Sequence, residues 1–244
     1  MSPTINVFAD NPAVAQQFAT DLVELISKLS QTQNKITLAL SGGSTPKLLF
    51  EILAEQFADQ IDWNQVHFFW GDERCVSPND PQSNFGEANN LLLELINIPA
   101  SNVHRVLGES DAGEECNRYE TELKAHLDTD DAGTPAFDIL ILGMGSDGHT
   151  ASIFPHEIEF LDSPRICEVA THPESGQKRI TLTGKVLNAA RNLFFLITGD
   201  SKATVLAEII HQSGQFESYP TSYIKPVGGR TFYVDQAAAS QLKP

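Results

Sequence analysis

The sequence predicts an α/β fold in which an open, mainly parallel sheet is flanked by helices. Short apolar runs that suit buried strands alternate along the chain with longer segments of helical periodicity. Most of these runs lead directly into polar or glycine-rich segments, as the strands of such sheets do. No internal repeat or low-complexity tract interrupts the alternation, so we expect residues 1–244 to form a single domain.

In the first part of the chain, strands are expected at residues 5–9, 36–40 and 66–70. Asp10 is a suitable N-cap and Pro12 suits a first helical turn, so a helix should run from there to about residue 30. Pro46 should open a second helix, because the apolar residues that follow it have helical spacing. A third helix is expected over residues 84–96.

In the remainder, strands are expected at residues 103–106, 138–142, 166–170, 179–183, 193–198 and 231–234. The strands at 166–170 and 179–183 should pair around the loop 172–176. Helices are expected over residues 111–127 and from about Lys202 to residue 211. The stretch after Pro155 is predicted to be irregular.

Composition excludes several classes of function. With 16 Lys and Arg against 32 Asp and Glu, the net charge of −16 argues against nucleic acid as a partner. Any anion site must therefore concentrate a few of the basic residues. Cys75, Cys116 and Cys167 are too few and too scattered for a disulfide framework or a cysteine zinc site. No membrane span or signal pattern is recognisable, so we expect a cytoplasmic protein.

The segment 138–155 carries the first candidate site. Its apolar strand is followed by Gly143, Gly145 and Gly148, and then directly by His149. Ligands of open α/β sheets bind beyond the carboxyl ends of the strands, and a histidine there is suited to proton transfer near neutral pH. The plain alternative is a tight turn whose histidine has no catalytic role.

The same glycines fit the pattern Gly-x-Gly-x-x-Gly of dinucleotide-binding proteins, with Glu168 at a suitable distance for a ribose. That pattern requires a long helix whose N-terminus faces the pyrophosphate. Pro155 would end such a helix after about two turns. The sequence therefore argues against a dinucleotide site.

A second candidate site is the loop from Ser41 through Gly42, Gly43 and Ser44 to Pro46, between a strand and a helix. Backbone N–H groups, hydroxyls and the positive end of a helix dipole suit a phosphate group. The Gly-Lys-Ser/Thr ending of a Walker loop is absent, and an ordinary turn would use similar residues.

Two cations stand at informative places. Lys202 falls in the first turn of a predicted helix, where a cation is unfavourable unless an anion is bound nearby. Arg74 ends the polar stretch 71–74, which we expect to be a solvated turn, and precedes a long loop with two prolines. Long loops at strand ends are often functional, so Arg74 is a candidate for an electrophilic role.

Five ordered motifs together resemble a known family. They are Ser41-Gly-Gly-Ser-Thr-Pro46, Gly71-Asp-Glu-Arg74 with Ser83-Asn84 downstream, Gly143-x-Gly-x-Asp-Gly-His-Thr-Ala-Ser152, Arg179-Ile-Thr-Leu-Thr183 and Gly199-x-x-Lys202. In this order they resemble the 6-phosphogluconolactonases, within the superfamily that also holds the glucosamine-6-phosphate isomerases. The resemblance implies a modified Rossmann-like, three-layer α/β sandwich. It also implies hydrolysis of 6-phospho-D-glucono-1,5-lactone to 6-phosphogluconate in the oxidative pentose phosphate pathway.

The resemblance also implies roles for individual residues. The phosphate site would comprise Ser41, Gly42, Gly43, Ser44, Arg179 and Lys202. His149 would take a proton from the attacking water, and Arg74 would meet the charge that develops on the lactone carbonyl oxygen. Asp147 or Asp72 would orient the imidazole or an arginine, and the sequence leaves open which does so. We expect no metal or cofactor, since a lactone is already a reactive ester.

The related deaminases differ at informative positions. Their pattern has Met-Asp-Glu-Tyr where this chain has Gly71-Asp-Glu-Arg74. It also places a glutamate, the partner of their ring-opening histidine, where this chain has Phe154. Phenylalanine cannot accept a proton, so the sequence favours the lactonase branch.

Two further classes stay open at this point: a catalytically silent sugar-phosphate binder and a nicotinamide-dependent dehydrogenase. The partner is expected to be a small sugar-phosphate lactone, and the chain a monomer or small homo-oligomer. Six other histidines show no metal-ligand spacing in the sequence, and no role is assigned to them: His67, His104, His126, His156, His172 and His211.

Overall fold

The computed structural model describes residues 3–242 and contains nine strands and six α-helices in that range. The strands are β1 (Thr4–Phe8), β2 (Ile36–Leu40), β3 (Val66–Trp70), β4 (Asp72–Arg74), β5 (Ile139–Leu142), β6 (Cys167–Thr171), β7 (Lys178–Leu182), β8 (Asn192–Ile197) and β9 (Arg230–Asp235). The helices are α1 (Asn11–Ser30), α2 (Ser44–Gln56), α3 (Asn84–Ala88), α4 (Ala112–His126), α5 (Gly184–Ala189) and α6 (Ala203–His211).

Six strands form the main sheet in the order β1-β9-β8-β5-β2-β3, and every neighbouring pair is parallel. All residues of β2 and β5 are buried, as expected for the central strands of a sheet covered on both faces. The predicted open parallel α/β sheet is confirmed. Within residues 3–242, none of the helices combines the length with the apolar composition that a membrane span needs.

The strand order reverses beside β2. The chain passes from β2 to β3 on one side, whereas β5, β8 and β9 lie on the other side. Ligands of open α/β sheets bind at such a reversal, beyond the carboxyl ends of the strands. The segments that begin at Ser41 and Gly143 both leave the sheet at this edge, one after β2 and the other after β5.

A second, antiparallel sheet has the order β4-β7-β6 and adjoins the carboxyl end of β3. The predicted pairing of the two strands around the loop 172–176 is confirmed as β6 and β7. Gly71 joins the two sheets: its N–H donates to the carbonyl of Leu40 in the main sheet, and its carbonyl accepts from the N–H of Leu182 in β7, both at 2.9 Å.

The prediction of a solvated turn at 71–74 is wrong. Asp72 to Arg74 form strand β4, and the side chains of Asp72 and Glu73 are buried. The backbone of this segment bonds to β7 rather than to water, and Glu73 is itself satisfied by backbone donors. The prediction failed because polar residues can also be buried when hydrogen bonds satisfy them.

Other sequence expectations need smaller corrections. Residues 103–106 form no strand: only Val103 makes a single bridge to Phe68 of β3. The helix expected over 84–96 is α3 followed by a π-helical turn at Asn89–Leu93. Helix α5 was not predicted, because its six residues are too few to show a clear helical periodicity.

Candidate active site

A cleft of about 190 Å³ opens at the carboxyl edge of the main sheet, beside β4 and β7. Seven of the residues that were assigned a role from the sequence line it: Ser41, Gly42, Asp72, Arg74, His149, Arg179 and Lys202. The two sheets therefore bring together segments that lie far apart in the chain. Three of the lining side chains are cationic, which is the concentration of charge that an anion site requires in so acidic a protein.

The other predicted residues lie next to this cleft. Gly43 and Ser44 line an adjoining cleft of about 180 Å³, which shares Gly42 and Lys202 with the first. Asp147 does not line either cleft, but it contacts the imidazole of His149. The structure thus places the loop that begins at Ser41 and the histidine beside two clefts that share lining residues.

His149 and Asp147 form a hydrogen-bonded pair. Nδ1 of the imidazole lies 2.6 Å from Oδ1 of Asp147, and the same oxygen accepts from the backbone N–H of His149 at 3.2 Å. Partial burial opposes ionisation of Asp147, but the hydrogen bonds and proximity of His149 outweigh burial and lower the carboxyl pKa to about 2. An ionised carboxylate only accepts, so Nδ1 carries the proton and Nε2 is left as the basic nitrogen.

The turn that carries His149 is held at several points. The N–H of Gly145 donates to the carbonyl of His149 at 2.9 Å, and Thr150 Oγ1 donates to the carbonyl of Gly143 at 2.9 Å. Thr221 Oγ1 donates to the carbonyl of Gly148, also at 2.9 Å. A Cβ atom on residue 145 would overlap Nδ1 of His149 and Oδ1 of Asp147. Glycine is therefore required at 145 for the pair to form.

Phe154 supports both the histidine and an arginine. Its fully buried ring lies 4.8 Å from the His149 ring, centroid to centroid, and Cζ of Arg179 lies 5.6 Å from its centroid. A guanidinium at this distance from a ring face gains a cation–π interaction. The aromatic ring thus fixes the spacing between the imidazole and a basic group of the cleft.

Asp72 and Asp147, between which the sequence did not choose, have different hydrogen-bond partners. Asp72 Oδ2 accepts from Oγ of Ser152 at 2.6 Å, and Nη1 of Arg179 donates to the same hydroxyl at 3.4 Å. Burial lowers the pKa of Arg179, the charge of Asp72 raises it, and the neighbouring Arg74 lowers it. Asp72 is therefore connected to Arg179 through the hydroxyl of Ser152, whereas Asp147 contacts His149 directly.

Arg74 is positioned from both ends of its side chain. Its backbone is paired in β4, and its Nη1 donates to the carbonyl of Gln82 at 2.5 Å. Within residues 3–242, Nε of Arg74 is buried without a hydrogen-bond partner, and so is Nε of Arg179. A buried unpaired N–H donor is unfavourable, and a bound anion would satisfy it.

Glu73 is a structural residue that the sequence reading missed. Its buried carboxylate accepts from the backbone N–H groups of Arg74, Asn84 and Phe85 at 2.7–2.8 Å, and from Oγ of Ser83 at 3.2 Å. Burial raises the pKa of Glu73, although the backbone donors act against that rise. The carboxylate joins β4 to the start of α3. In the sequence, Glu73 is one of several consecutive polar residues, and nothing in that pattern distinguishes it as a structural residue.

The loop from Ser41 leads into α2 with the geometry that an anion requires. Gly43 caps the helix with a φ of 118°, a left-handed conformation that favours glycine. The first helical hydrogen bond runs from Lys47 to the carbonyl of Gly43, so the helix leaves the N–H groups of Ser44 and Thr45 unbonded. These donors and the helix dipole favour negative charge at this point.

Lys202 is the N-cap residue of α6, and it lines both clefts. Burial lowers the pKa of its ammonium group, and the charge of Asp147 acts in the opposite direction. Within residues 3–242, the Lys202 ammonium has no ion pair within 4 Å. Its charge is available to a ligand.

Several lining residues were not assigned roles from the sequence: Asn84, Gly143, Met144, Gly145 and Ala151. Asn84 donates from Nδ2 to the carbonyl of Asp72 at 3.0 Å. It stood within one of the family motifs, which is the signal that could have identified it. Ala151 has a φ of 48°, an unusual value for a residue other than glycine, directly beside Ser152.

The dinucleotide alternative lacks its structural requirement. The backbone after Gly148 forms turns, and a 3₁₀ segment begins only at Pro155. Glu168 lies on β6 of the second sheet, where its carboxylate accepts from Oγ of Ser163 at 2.6 Å. In the described residues, no α-helix follows Gly148 directly, so this segment does not supply the helix N-terminus that the dinucleotide pattern requires.

Cys75 beside Arg74 is not an activated thiol. Burial, followed by the charges of Glu73 and Glu115, raises its pKa to about 11. A thiol of raised pKa is a poor nucleophile, so Cys75 is a structural residue.

Comparison with known proteins places the chain in a family. The family model described as glucosamine-6-phosphate isomerases/6-phosphogluconolactonase matches residues 9–233. A 6-phosphogluconolactonase of Haemophilus influenzae is 46% identical over 215 residues, which are 87% of this chain and 90% of that protein. One from Synechocystis is 36% identical and covers the full length of both chains. The crystal structure of 6-phosphogluconolactonase from Thermotoga maritima superposes with a TM-score of 0.84 at 31% identity, covering 96% of this chain and all of that one. The resemblance drawn from the motifs is thus confirmed, and the chain belongs to the glucosamine-6-phosphate isomerase/6-phosphogluconolactonase family.

Proposed function

We propose that this protein hydrolyses 6-phospho-D-glucono-1,5-lactone to 6-phosphogluconate, with His149 as the base that activates water. The observation that carries the proposal is that the paired imidazole of His149 and the cations Arg179 and Lys202 line one cleft. The relatives of 36% and 46% identity that bear the lactonase name support the same reaction.

The phosphate end of the substrate is assigned to the loop after β2. The free N–H groups at the start of α2 and the hydroxyls of Ser41 and Ser44 offer hydrogen bonds to a phosphate. Lys202 and Arg179 supply the compensating charge. A dianion held here overcomes the long-range repulsion that a protein of net charge −16 exerts on it.

The chemical step uses Nε2 of His149. Asp147 keeps the proton on Nδ1, so Nε2 can remove a proton from a water molecule as its oxygen attacks the lactone carbonyl. The imidazolium that forms is stabilised by the Asp147 carboxylate. It then returns the proton to the ring oxygen as the carbon–oxygen bond of the lactone breaks.

Arg74 is assigned to the carbonyl oxygen, where negative charge develops in the transition state. Its guanidinium lines the cleft and is already held by Gln82, so little reorganisation is needed during the reaction. Asp72 and Ser152 are positioning residues for Arg179 in this scheme. The reaction is expected to need no metal or cofactor, because a lactone is an activated ester.

Phe154 separates this proposal from the deaminase reaction of the same family. It occupies the position of the deaminases' glutamate and packs its ring near His149. A ring-opening reaction that needs a carboxylate at this position would have no acceptor here.

The decisive experiment uses freshly prepared 6-phosphogluconolactone at neutral pH. Acid release is followed in a pH-stat with the protein, without it, and with His149→Ala. We expect hydrolysis well above the spontaneous rate only with the unchanged protein. A rate equal to the spontaneous one would favour the alternative that the protein binds sugar phosphates without catalysing a reaction.

One further measurement tests the dehydrogenase alternative. Saturable quenching or enhancement of nicotinamide fluorescence would instead favour a dehydrogenase, and we expect none. We also propose a cytoplasmic, reduced location, in keeping with the free thiols of Cys75, Cys116 and Cys167. The partner is the small sugar-phosphate lactone rather than nucleic acid, and the chain acts as a monomer or small homo-oligomer.

A further inference from the structure

Three histidines converge at a place remote in the fold from the cleft. His67 is the second residue of β3, His104 follows the bridge of Val103 to that strand, and His126 ends α4. One ring nitrogen of each histidine lies within 4.8 Å of the others, and Nδ1 of His67 lies 2.9 Å from Nε2 of His104. None of the three histidines lines the cleft, which lies beyond the carboxyl end of the sheet.

Glu122 orients the central histidine of this cluster. Its Oε1 lies 2.7 Å from Nδ1 of His104 and 3.4 Å from Nε2 of His126. A carboxylate at Nδ1 holds the proton on that nitrogen, which leaves the lone pair of His104 Nε2 directed at His67. A carboxylate that bonds the outer nitrogen of a histidine is a common companion of metal-binding imidazoles.

We propose that His67, His104 and His126 bind a Zn²⁺ ion, with Glu122 as the carboxylate that orients His104. Three imidazole nitrogens are a donor set that suits Zn²⁺, and the ion accepts a water molecule or carboxylate as its fourth ligand. Zinc-bound nitrogens lie about 3.3 Å apart when each bond is about 2.0–2.1 Å. The three nitrogens lie within 4.8 Å of one another, and the hydrogen-bonded pair of His67 Nδ1 and His104 Nε2 is 2.9 Å apart, so the rings must rotate to reach that spacing and the ion replaces this hydrogen bond.

The cluster is partly open to solvent, although His104 itself is buried. The side chains of His126 and Glu122 are 36% and 30% exposed, so an ion can enter from solvent.

Two cations moderate the affinity. Nζ of Lys35 donates to the carbonyl of His126 at 2.6 Å, and Nη1 of Arg118 lies 3.6 Å from Glu122. Their charges act against a divalent ion, so the site should bind more weakly than sites built from thiolates. The three ligands come from three separate segments, and the ion would therefore bind the folded chain and stabilise it. This makes the site structural, not part of lactone hydrolysis.

The test is a titration of the metal-free, full-length protein with Zn²⁺ by calorimetry, with Co²⁺ as a spectroscopic probe of coordination. Glu122→Gln keeps the size of the side chain but removes its charge, and Glu120→Gln is the matched control on the same helix. We expect one ion per chain, an affinity about 10- to 100-fold weaker in Glu122→Gln, and no change in the control. His126→Ala should abolish the tetrahedral Co²⁺ spectrum, whereas His211→Ala should not.

Two outcomes would overturn the proposal. The first is that the wild type binds no Zn²⁺, or binds it as well when His126 or Glu122 is substituted. The second is that binding is lost in His149→Ala instead, which would place the ion in the cleft. Zn²⁺ should also raise the melting temperature of the wild type but not of His126→Ala, while His126→Ala retains lactone hydrolysis. If His126→Ala does not fold, the Glu122→Gln and Glu120→Gln pair decides the question.

Discussion

Arg74 lies directly opposite Arg179 across the antiparallel pairing of β4 with β7. Like charges at opposed positions destabilise a sheet, yet here both guanidinium groups line the same cleft. Within residues 3–242, both also bury an Nε–H that has no partner. The pair is therefore arranged for a negatively charged ligand, and the free protein retains a repulsion that such a ligand would relieve.

Removing a cation of the cleft should weaken ligand binding. We expect Arg179→Ala and Lys202→Ala to raise KM and the Kd for 6-phosphogluconate by about 10- to 100-fold, which corresponds to ~1.5–3 kcal/mol for a hydrogen bond to a charged group. Calorimetry with 6-phosphogluconate measures the change. Lys185→Ala, an exposed lysine on α5, is the control. Normal binding by both cleft variants would show that the phosphate lies elsewhere.

Substitution of the base should affect turnover instead of binding. His149→Ala should lower kcat by about 10²- to 10⁴-fold with KM nearly unchanged, because in the proposed mechanism the imidazole acts on the attacking water. Steady-state kinetics with fresh lactone separate the two constants. A large rise in KM at unchanged kcat would reassign His149 to substrate binding.

The partner of the base should matter almost as much. In Asp147→Asn the amide can no longer hold the proton on Nδ1, so the wrong tautomer becomes accessible and kcat should fall by about 100-fold or more. Kinetic measurement beside Asp72→Asn distinguishes the two acids, since Asp72 contacts Ser152 instead. An undiminished kcat in Asp147→Asn would contradict the proposed role of the pair.

The carboxylate of Asp147 should also affect the stability of the folded protein in acid. Its pKa is lowered from 3.8 to about 2 in the folded protein, so Asp147 stabilises the fold above about pH 4 and this contribution disappears as the pH falls towards 2. Because the side chain is 42% exposed, solvent screens the effect and the contribution should be small. Thermal unfolding of the wild type and Asp147→Asn should therefore converge between pH 4 and pH 2. Parallel curves through that window would contradict the assignment.

Gly145→Ala provides a steric test of the same pair. The new methyl group would overlap both His149 and Asp147, so the imidazole must move, and a displacement of about 1 Å can cost about 100-fold in rate. Phosphate binding should persist because the loop after β2 is untouched. Gly113→Ala, where a methyl group meets its nearest atom at 3.3 Å, is the control. Equal kcat values for the two variants would show that the pair tolerates displacement.

Cys75 should be chemically inert despite its place beside Arg74. With a pKa raised to about 11, its thiolate is scarce at pH 8, and thiol reagents should modify it on the order of 100-fold more slowly than a free thiol of pKa about 8.5. Reaction with a coloured disulfide reagent and peptide mapping measures the rate. Reactivity equal to that of a free thiol would mean that the side chain is exposed and its pKa is not raised.

The sequence predicted the parts of the molecule whose signals are local. The apolar runs of β2 and β5 and the glycine-rich segments after them follow one another directly, and these segments carry Ser41 and His149. The order of family motifs then connected them with Arg74 and Lys202. The structure adds the strand reversal that brings these segments to the same edge of the sheet.

The parts that the sequence did not predict depend on contacts between distant segments. Strand β4 was taken as a solvated turn because its letters are polar, and only pairing with β7 makes those residues part of a sheet. The convergence of His67, His104 and His126 has no regular spacing, because three separate elements supply the three rings. The choice between Asp72 and Asp147 required the directions of the side chains.

The buried carboxylate of Glu73 affects how far the loop between Arg74 and Asn84 can vary. One side chain fixes the backbone at Arg74 and, across the intervening loop, at Asn84 and Phe85. Both ends of the loop are thus secured independently of what lies between them, since loop-closure entropy rises only slowly with loop length. Insertions or substitutions near Asn79 should therefore be tolerated while Arg74 stays in place.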